Sequence, residues 1–355
     1  MHAALTLAER GLGRVAPNPA VGCVLVKDGA IIARGWTQPG GRPHAEAEAL
    51  ARAGAAARGA TAYVSLEPCA HHGVTAPCAD ALIGAGVARV VIAAGDPDPR
   101  TNGAGLARLR QAGIAVTTDV LAPRARALNA GFILKVRQNR PLVSAKLAVS
   151  LDGRVATGAG DSQWITGAAA RRHGHLERAR HDAIMVGAGT LRADNPSLTC
   201  RLPGLEGASP QRVVVLGRQP ADPALALLRD PECWVFGAAP GAIAIAPGAD
   251  GLPDPAAVLA ALAARGITRL LLEGGPALIT GFLRAGLVDR LLWYQAPRLI
   301  GGDGHAAIGG LSVAKLAQTL DYRPAGECGL GPDRLLVYIR HGLDEELAAT
   351  CSPES

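Results

Sequence analysis

Three potential metal ligands, each at the start or end of a predicted helix or strand, constrain this chain more than any other feature. His44 stands where a helical pattern begins, Cys69 follows a predicted strand 25 positions later, and Cys78 opens another helical pattern nine positions further on. One imidazole and two thiolates leave the fourth tetrahedral position of zinc open, as catalytic zinc sites do. Helix N-termini favour the thiolate form of nearby cysteines. We therefore predict a zinc site formed by His44, Cys69 and Cys78.

A glutamate accompanies this set of ligands. Glu46 lies two residues after His44, so its carboxylate can approach a metal-bound water without being a ligand. In zinc deaminases the metal lowers the pKa of this water, and a glutamate moves its proton to the leaving amine. The sequence thus predicts hydrolytic deamination of a pyrimidine-type ring, with Glu46 as general acid and base.

Two other interpretations of the same residues remain open. Free cysteines are often inert core residues, and a structural zinc site would use four protein ligands, the fourth coming from His71 or His72. The spacing also differs from the Pro-Cys-x-x-Cys pattern of nucleobase deaminases, because eight residues, 70–77, separate Cys69 from Cys78. We expect this longer segment to act as a substrate-specificity loop.

The first 140 residues read as an α/β sandwich around a mixed sheet. Residues 21–27 and 30–36 predict a β-hairpin, because Asp28-Gly29 between them suits its turn. The patterns that follow alternate between helix and strand, which is typical of such a fold. Helices are predicted at 44–53, 78–85 and 105–112, and strands at 61–66, 89–94 and 114–120.

The length of 355 residues favours two domains. We place the boundary at 138–141, where a new apolar strand follows, and predict domains at 1–140 and 141–343 with a disordered tail at 344–355. The second domain again alternates between strand and helix. Strands are predicted at 142–149, 182–186, 212–216, 233–237, 269–272 and 291–296, and a helix at 256–264.

A glycine-rich turn follows the strand predicted at 269–272. The residues Glu273-Gly274-Gly275-Pro276 allow the backbone to approach a phosphate, and a helix starting there would favour the anion. The spacing is not the Gly-x-Gly-x-x-Gly of a dinucleotide-binding fold, and many structural turns carry the same signal. Taken alone, this domain reads as α/β, with nucleotide binding open.

Charge and composition exclude several other classes of protein. The chain has a net charge of +6, and the excess of basic residues lies in the first domain. However, there is no dense run of Lys and Arg, and aromatic residues make up 3%. We therefore expect a phosphorylated metabolite as the partner and no nucleic acid. Seven irregularly spaced cysteines argue against a disulfide framework. Without a leader or an apolar run of about 20 residues, we expect a cytoplasmic protein with no membrane contact. A homo-oligomer, dimer or tetramer, is also expected.

Several motifs in a fixed order resemble the bifunctional deaminase/reductase family of riboflavin biosynthesis. The resemblance runs from Leu5 to Ile339 and therefore covers nearly the whole chain. In the first domain its motifs are Pro-Asn-Pro-Ala-Val-Gly at 17–22, His-Ala-Glu at 44–46 and Leu-Glu-Pro-Cys-Ala-His-His-Gly at 66–73. In the second they are Lys-Leu-Ala-Val-Ser-Leu-Asp-Gly at 146–153, Val-Gly-Ala-Gly-Thr at 186–190, Asp-Asn-Pro-Ser-Leu-Thr at 194–199 and Leu-Glu-Gly-Gly-Pro at 272–276.

The resemblance implies a fold, two reactions and two cofactors. It implies a cytidine-deaminase-like three-layer sandwich that deaminates a phosphoribosylated diaminopyrimidinone with Zn²⁺. It further implies a dihydrofolate-reductase-like domain that reduces the ribosyl group to ribityl with NADPH. The implied NADPH contacts are Ala148, Trp164, Thr190, Asp194, Gly275, Pro276, Ala277, Leu278, Ile279, Thr280 and Gly281. The implied substrate contacts are Asn18, His71 and Asp96 in the first domain and Ser162, Arg178, Leu198, Arg201 and Glu273 in the second.

The two arginines among these contacts could clamp the ribose phosphate, because a guanidinium binds phosphate bidentately. Lys146 could polarise the substrate of the reduction. Both assignments compete with ordinary structural roles, as surface cations or as a lysine on a strand.

This chain departs from the family pattern at two positions. Thr37 stands where the family usually has His, and Val74 stands where it usually has Arg or Lys after the His-His-Gly run. The second change removes a cation from the loop expected to reach the substrate phosphate, and Arg42 is a candidate to compensate.

Two other functions remain open: a tRNA or free-base deaminase with an appended nucleotide-binding domain, and a regulatory homologue whose activity has decayed. The long segment between the cysteines and the full-length resemblance argue against the first. The intact ligands and Glu46 argue against the second.

Overall fold

The structure is a computed structural model that describes residues 1–71, 76–217, 221–237, 241–248 and 251–349. It divides into two compact units, one formed by residues 1–138 with the segment from Asp344, the other by residues 139–343. His72 and Val74, which the sequence analysis singled out, lie outside the described residues. Each unit is built around its own sheet.

Among its described residues, the main segment of the first unit contains five strands and six α-helices. In chain order these are α1 (His2–Ala8), β1 (Gly22–Lys27), β2 (Ala30–Trp36), α2 (Ala45–Ala53), β3 (Thr61–Val64), α3 (Cys78–Gly84), β4 (Arg89–Ile92), α4 (Ala104–Gln111), β5 (Ala115–Thr117), α5 (Ala122–Leu128) and α6 (Ala130–Gln138). The strand order is β2-β1-β3-β4-β5. β1 is antiparallel to β2 and β3, whereas β3, β4 and β5 are parallel, so the expected mixed sheet is confirmed.

Two glycines show that helices cover both faces of this sheet. A Cβ on Gly22 would lie 1.9 Å from the carbonyl oxygen of Ala4 in α1, and a Cβ on Gly35 would lie 2.2 Å from that of Ala45 in α2. Gly35 pairs with Cys23 across the two strands, and successive residues of a strand face opposite sides. Gly22 and Gly35 therefore point to opposite faces, which gives the expected three-layer sandwich.

The second unit is built on a larger sheet. Its elements are β6 (Leu142–Val149), β7 (Arg154–Ala156), α7 (Ala168–Ala179), β8 (Ala183–Gly187), α8 (Ala188–Asp194), β9 (Gln211–Val215), α9 (Ala226–Arg229), β10 (Trp234–Phe236), α10 (Pro255–Ala264), β11 (Arg269–Leu272), α11 (Pro276–Arg284), β12 (Arg290–Gln295), β13 (His305–Ala306), β14 (Tyr322–Leu330) and β15 (Asp333–Arg340). Eight strands follow the order β10-β9-β8-β11-β6-β12-β15-β14, and β13 pairs with β7.

Six neighbouring strands of this sheet, from β10 to β12, run parallel. Parallel strands buried on both faces are apolar throughout, and all four residues of β11 are buried. Alternate residues of β11 serve two cores: Leu270 packs with α10 and α11, and Leu271 packs with α7, α8 and α9. The carboxyl ends of these strands meet at one edge, where ligands bind in open α/β sheets.

A buried ion pair lies where the chain enters the second unit. Arg140 donates from Nη1 and Nη2 to the carboxylate of Asp289 at 2.6 and 2.9 Å. The same carboxylate accepts the backbone N–H of Val143 at 3.0 Å, and Asp289 is fully buried. This contact holds the start of β6 in place.

Most elements expected from periodicity are confirmed, including the hairpin and the strand at 142–149. No sequence pattern predicted the short strands β7 and β13, the hairpin of β14 and β15, or the helices α1, α5, α6, α7, α8 and α9. The prediction of a disordered tail is wrong for its first residues, because Leu343–Ala348 form a helix, α12, in which Leu347 is buried. Residues 350–355 lie outside the described residues.

Candidate functional site

The three expected metal ligands converge in the first unit. His44 is the N-cap of α2, Cys69 lies in the segment after β3, and Cys78 is the first residue of α3. His44 Nδ1 lies 3.7 Å from Cys69 Sγ and 3.4 Å from Cys78 Sγ. Tetrahedral zinc with ordinary Zn–N and Zn–S bond lengths requires about 3.6 Å between such atoms. The donor set therefore fits zinc.

No fourth side-chain ligand joins this group in the part of the chain that the structure describes. His71, one of the two residues considered for a structural site, has Nδ1 3.3 Å from Thr101 Oγ1. The other, His72, lies outside the described residues. Among the described residues, the arrangement thus keeps one coordination position for water, as in a catalytic site.

The two thiols share one hydrogen-bonded arrangement. The backbone N–H of Cys78, at the start of α3, donates to Cys69 Sγ at 3.3 Å. The side chain of Cys78 also donates to this sulfur, and with His44 it lowers the pKa of Cys69 to about 4. The same hydrogen bond, together with burial, raises the pKa of Cys78. The cluster therefore carries negative charge at the point where a cation fits.

Glu46 lies beside the ligands in the first turn of α2 and is 3% exposed. Burial raises its pKa to about 7, although the nearby charge of His44 opposes this rise. The Glu46 side chain also interacts with Cys78. A carboxyl group with a pKa near the working pH can both accept and release a proton, which suits the role predicted for it.

The structure places the expected substrate contacts of the first unit in loops around this cluster. Asn18 donates from Nδ2 to the carbonyl oxygen of Gly41 at 2.8 Å. Gly41 lies three residues before His44. Asp96 follows β4 and is buried, and burial raises its pKa to about 7. The charge of Cys69 also acts on Asp96. Contact of Asn18, His71 and Asp96 with substrate stays a prediction.

The two departures from the family pattern have different outcomes. Thr37 is buried, and its Oγ1 accepts the backbone N–H of Val21 at 3.0 Å, so it supports the fold of this region. Arg42 is partly buried, and its charge reaches His44. Compensation by Arg42 for the cation missing at position 74 stays a prediction.

The second unit holds a cavity of about 1180 Å³ at the carboxyl ends of β6, β8, β9 and β11. This volume exceeds the usual 300–1,000 Å³ of a small-ligand pocket, so the cavity can hold a dinucleotide together with a small substrate. Ten of the expected contact residues line it: Ala148, Ser162, Thr190, Asp194, Glu273, Gly275, Pro276, Ala277, Leu278 and Gly281.

Six expected contact residues do not line this cavity. Ile279 and Thr280 are buried within α11, beneath the wall. Trp164 is 61% exposed, and the guanidinium of Arg171 lies 4.8 Å from its ring centroid. The remaining three are Arg178, Leu198 and Arg201.

The middle of the cavity is lined by glycine-rich backbone. Gly275 is the N-cap of α11 and Pro276 its first residue, so a helix does begin at this turn. β8 and β11 are parallel neighbours, which brings Gly187 and Gly274 to the same edge. A Cβ on Gly274 would lie 2.6 Å from Leu278 Cδ2. The exposed N–H groups of the first turn of α11 suit a phosphate.

Glu273 joins two cations at one end of the cavity. Arg178 donates to its carboxylate from Nε at 2.9 Å and from Nη2 at 3.0 Å, and Lys146 Nζ lies 3.4 Å away. Burial opposes ionisation of Glu273, but Lys146 and Arg178 lower its pKa to about 2. Arg178 Nη1 also donates to the carbonyl oxygen of Thr199. Three N–H donors of Arg178 are thus already bound to protein groups. A phosphate clamp formed by Arg178 stays a prediction.

The other end of the cavity was missed by sequence reasoning. Val215 at the end of β9, Leu252, and Val258 in α10 form an apolar wall there. No linear motif marks these residues. They come together only because β9 pairs with β8 and the segment before α10 folds towards the end of β9.

Fold and sites together define a class of bifunctional enzymes: a zinc-binding deaminase domain joined to a reductase domain. The cytidine and deoxycytidylate deaminase zinc-binding region matches residues 1–94, and the RibD C-terminal domain matches residues 141–333. The chain belongs to the RibD family of riboflavin biosynthesis proteins.

Relatives of known name and structure resemble nearly the whole chain. The riboflavin biosynthesis protein RibD of Escherichia coli is 40% identical, covering 96% of this chain and 98% of its own length. A structure of RibD from Acinetobacter baumannii is 37% identical with a TM-score of 0.87, covering 96% and 97% of the two chains. The diaminohydroxyphosphoribosylaminopyrimidine deaminase/5-amino-6-(5-phosphoribosylamino)uracil reductase of Thermotoga maritima is 34% identical with a TM-score of 0.83 and the same coverage.

No helix among the described residues is both long and apolar enough to cross a membrane.

Proposed function

We propose that this chain catalyses two successive reactions of riboflavin biosynthesis. The first is hydrolytic deamination of the phosphoribosylated diaminopyrimidinone, and the second is NADPH-dependent reduction of the ribosyl group of the product to ribityl phosphate. We assign the first to residues 1–140 and the second to residues 141–343. The observation that carries the proposal is the His44–Cys69–Cys78 cluster with buried Glu46 beside it, in a chain similar over its length to a deaminase/reductase.

In the first reaction, His44, Cys69 and Cys78 would hold zinc, a Lewis acid that would lower the pKa of a water molecule. Glu46 accepts a proton from this water while the water oxygen attacks the ring carbon that bears the amine. Glu46 then donates the proton to the amine nitrogen, the C–N bond breaks, and ammonia leaves. Its pKa of about 7 allows both transfers near neutral pH.

In the second reaction, NADPH held in this cavity would supply a hydride to the ribosyl carbon. The ring C–O bond opens as the hydride is added, and the released oxygen takes up a proton from water. The N-terminal turn of α11 at Gly275 and Pro276 would hold the cofactor diphosphate. Lys146, held by Glu273, places a positive charge in the cavity wall near the reacting group. These side chains position cofactor and substrate so that the reacting atoms meet.

We also propose contact of the small-molecule substrate with Asn18, His71 and Asp96 in the first site. The corresponding contacts in the second site are Ser162, Arg178, Leu198, Arg201 and Glu273. We further propose that the protein is a cytoplasmic homo-oligomer, a dimer or a tetramer. Light scattering of the purified chain measures the oligomeric state.

A coupled assay tests the function. The zinc-loaded chain is incubated with the phosphoribosyl diaminopyrimidinone, and ammonia release is followed together with NADPH oxidation. We expect NADPH to be oxidised only after deamination has begun. A parallel incubation with tRNA tests the alternative deaminase, and ammonia release from tRNA alone would overturn the proposal.

A further inference from the structure

Glu67 is a buried carboxylate that takes no part in the proposed chemical steps. It lies between β3 and the metal ligand Cys69 and is 3% exposed. Its two oxygens accept four backbone N–H groups from distant parts of the chain. Oε1 accepts those of Gly105 at 3.0 Å and Leu106 at 3.2 Å, and Oε2 accepts those of Gly103 at 3.0 Å and Asp96 at 3.4 Å.

Three of these donors belong to the start of α4. Gly103 is the N-cap of this helix, and no side chain at that position caps it. A helix N-terminus leaves N–H groups that need acceptors and favours a negative charge. Glu67, which precedes Gly103 by 36 positions, supplies both. The carboxylate therefore ties the start of α4 to the segment that carries Cys69.

The backbone packs closely at the same place. A Cβ on Gly105 would lie 2.1 Å from the carbonyl oxygen of Pro68, the residue between Glu67 and Cys69. The start of α4 thus rests directly on the ligand-bearing segment. A change in the Glu67 contacts would move these two segments relative to each other.

Both partner segments of Glu67 carry groups of the substrate-binding side of the site. Asp96 is itself one partner, through its backbone N–H. Thr101 is fully buried in the turn that leads into α4, and its Oγ1 lies 3.3 Å from His71 Nδ1. Asp96 and His71 are the proposed substrate contacts. One carboxylate therefore links the metal side of the site to the residues proposed to bind the pyrimidine.

We propose that Glu67 is a positioning residue of the deaminase site, which holds Asp96 and the Thr101–His71 pair at the correct distance from Cys69. It acts through these residues and does not touch the substrate. The inference rests on the proposed deaminase function and concerns how substrate is bound there.

Glu67→Gln tests this role in the zinc-loaded full chain. The amide has nearly the same size but places an NH₂ group against backbone N–H donors, which leaves buried donors without acceptors. A buried donor without a partner weakens such an arrangement enough to change binding by about 10- to 100-fold. We expect KM for the phosphoribosyl diaminopyrimidinone to rise by about that factor, with a much smaller change in kcat. Zinc content and NADPH-dependent reduction of the deaminated product should be unchanged.

Glu9→Gln is the matched control, because it makes the same chemical change at a partly exposed carboxylate paired with Arg124. Both kinetic constants should stay at wild-type values in this variant. Parallel loss of zinc and kcat in Glu67→Gln would show a role in the metal side alone and would overturn the proposal. Wild-type constants in Glu67→Gln would overturn it as well.

A double-mutant comparison separates positioning from general support of the fold. Asp96→Ala removes one of the groups through which Glu67 is proposed to act, so Glu67→Gln should raise KM less in that background. Residues that act through one another are not additive, whereas independent effects add. Full additivity of the two changes would contradict the proposal.

Thr101→Val keeps the test decisive if Glu67→Gln does not fold. This nearly isosteric change removes the hydroxyl beside His71 and leaves the carboxylate contacts in place. We expect a raised KM with zinc retained, and an unchanged KM would overturn the proposal. If the wild-type chain releases no ammonia from this substrate, the proposed function fails instead, so the two failures are distinguishable.

Discussion

Replacement of Glu46 by Gln tests the central assignment of the deaminase site. The amide keeps the size of the side chain but cannot accept a proton from water and return it to the amine. A positioned general acid and base contributes about 100- to 10,000-fold to a rate, which corresponds to about 3 to 5.5 kcal/mol of transition-state stabilisation. We therefore expect kcat for ammonia release to fall by at least about 100-fold.

The assay measures ammonia release, NADPH oxidation and zinc content on the same preparation. Since Glu46 is not one of the three ligands, Glu46→Gln should bind zinc like the wild type. Given the deaminated substrate directly, it should oxidise NADPH at the wild-type rate. A fall of less than about 10-fold in deamination would refute the role of Glu46, because general acid–base catalysis is larger. Equal loss of both activities would refute two independent sites.

The same variant has a consequence for stability in the metal-free chain. Burial raises the pKa of Glu46 from 4.5 to about 7, so folding disfavours its charged form. Wild type then loses stability as pH rises from about 4.5 to 7, by about 3 kcal/mol in all, and Glu46→Gln does not. We expect metal-free Glu46→Gln to be the more stable protein at pH 8, with the difference nearly absent at pH 4. Urea unfolding at both pH values measures this, and equal stability at pH 8 would contradict the burial argument.

Three further perturbations address the metal site, the second unit and its cavity. Cys78→Ser should lower zinc content and abolish ammonia release while NADPH oxidation with the deaminated substrate continues. A chelator should have the same effect on the wild type. Loss of NADPH oxidation in either case would contradict independent sites. Asp289→Ala removes the carboxylate that pairs with buried Arg140, so chemical denaturation should show the second unit destabilised by about 3–5 kcal/mol. An unchanged midpoint would contradict a structural role. Glu273→Gln weakens the contacts of Lys146, and steady-state NADPH oxidation should show kcat/KM lower by about 10- to 100-fold with ammonia release unaffected. A wild-type kcat/KM for NADPH oxidation in Glu273→Gln would contradict a role of Glu273 and Lys146 in the reduction.

The metal site could be predicted from the sequence because its parts are local. His44 and Cys78 lie at helix starts and Cys69 at a strand end, and those boundaries follow from apolar periodicity and from proline. The deaminase chemistry follows from the kind and number of ligands and from Glu46 two residues away. Neither inference required knowledge of how distant segments pack.

The pairings of distant side chains could not be predicted in this way. The resemblance implied that Arg178 contacts substrate, but no sequence pattern predicted that it also donates to Glu273, 95 positions away. The hairpin of β14 and β15 was missed because nearly all residues of β14 are exposed, which leaves no alternating apolar pattern to recognise.

The amino-acid sequence by itself was enough to predict two domains, the candidate zinc ligands and Glu46, since each depends on a short motif or on periodicity within one element. Only the tertiary structure decided the four donors of Glu67, the partners of Glu273 and the apolar wall at Val215. These depend on which strand ends lie side by side. Strand order is set by long-range packing, and no short segment of the chain records it.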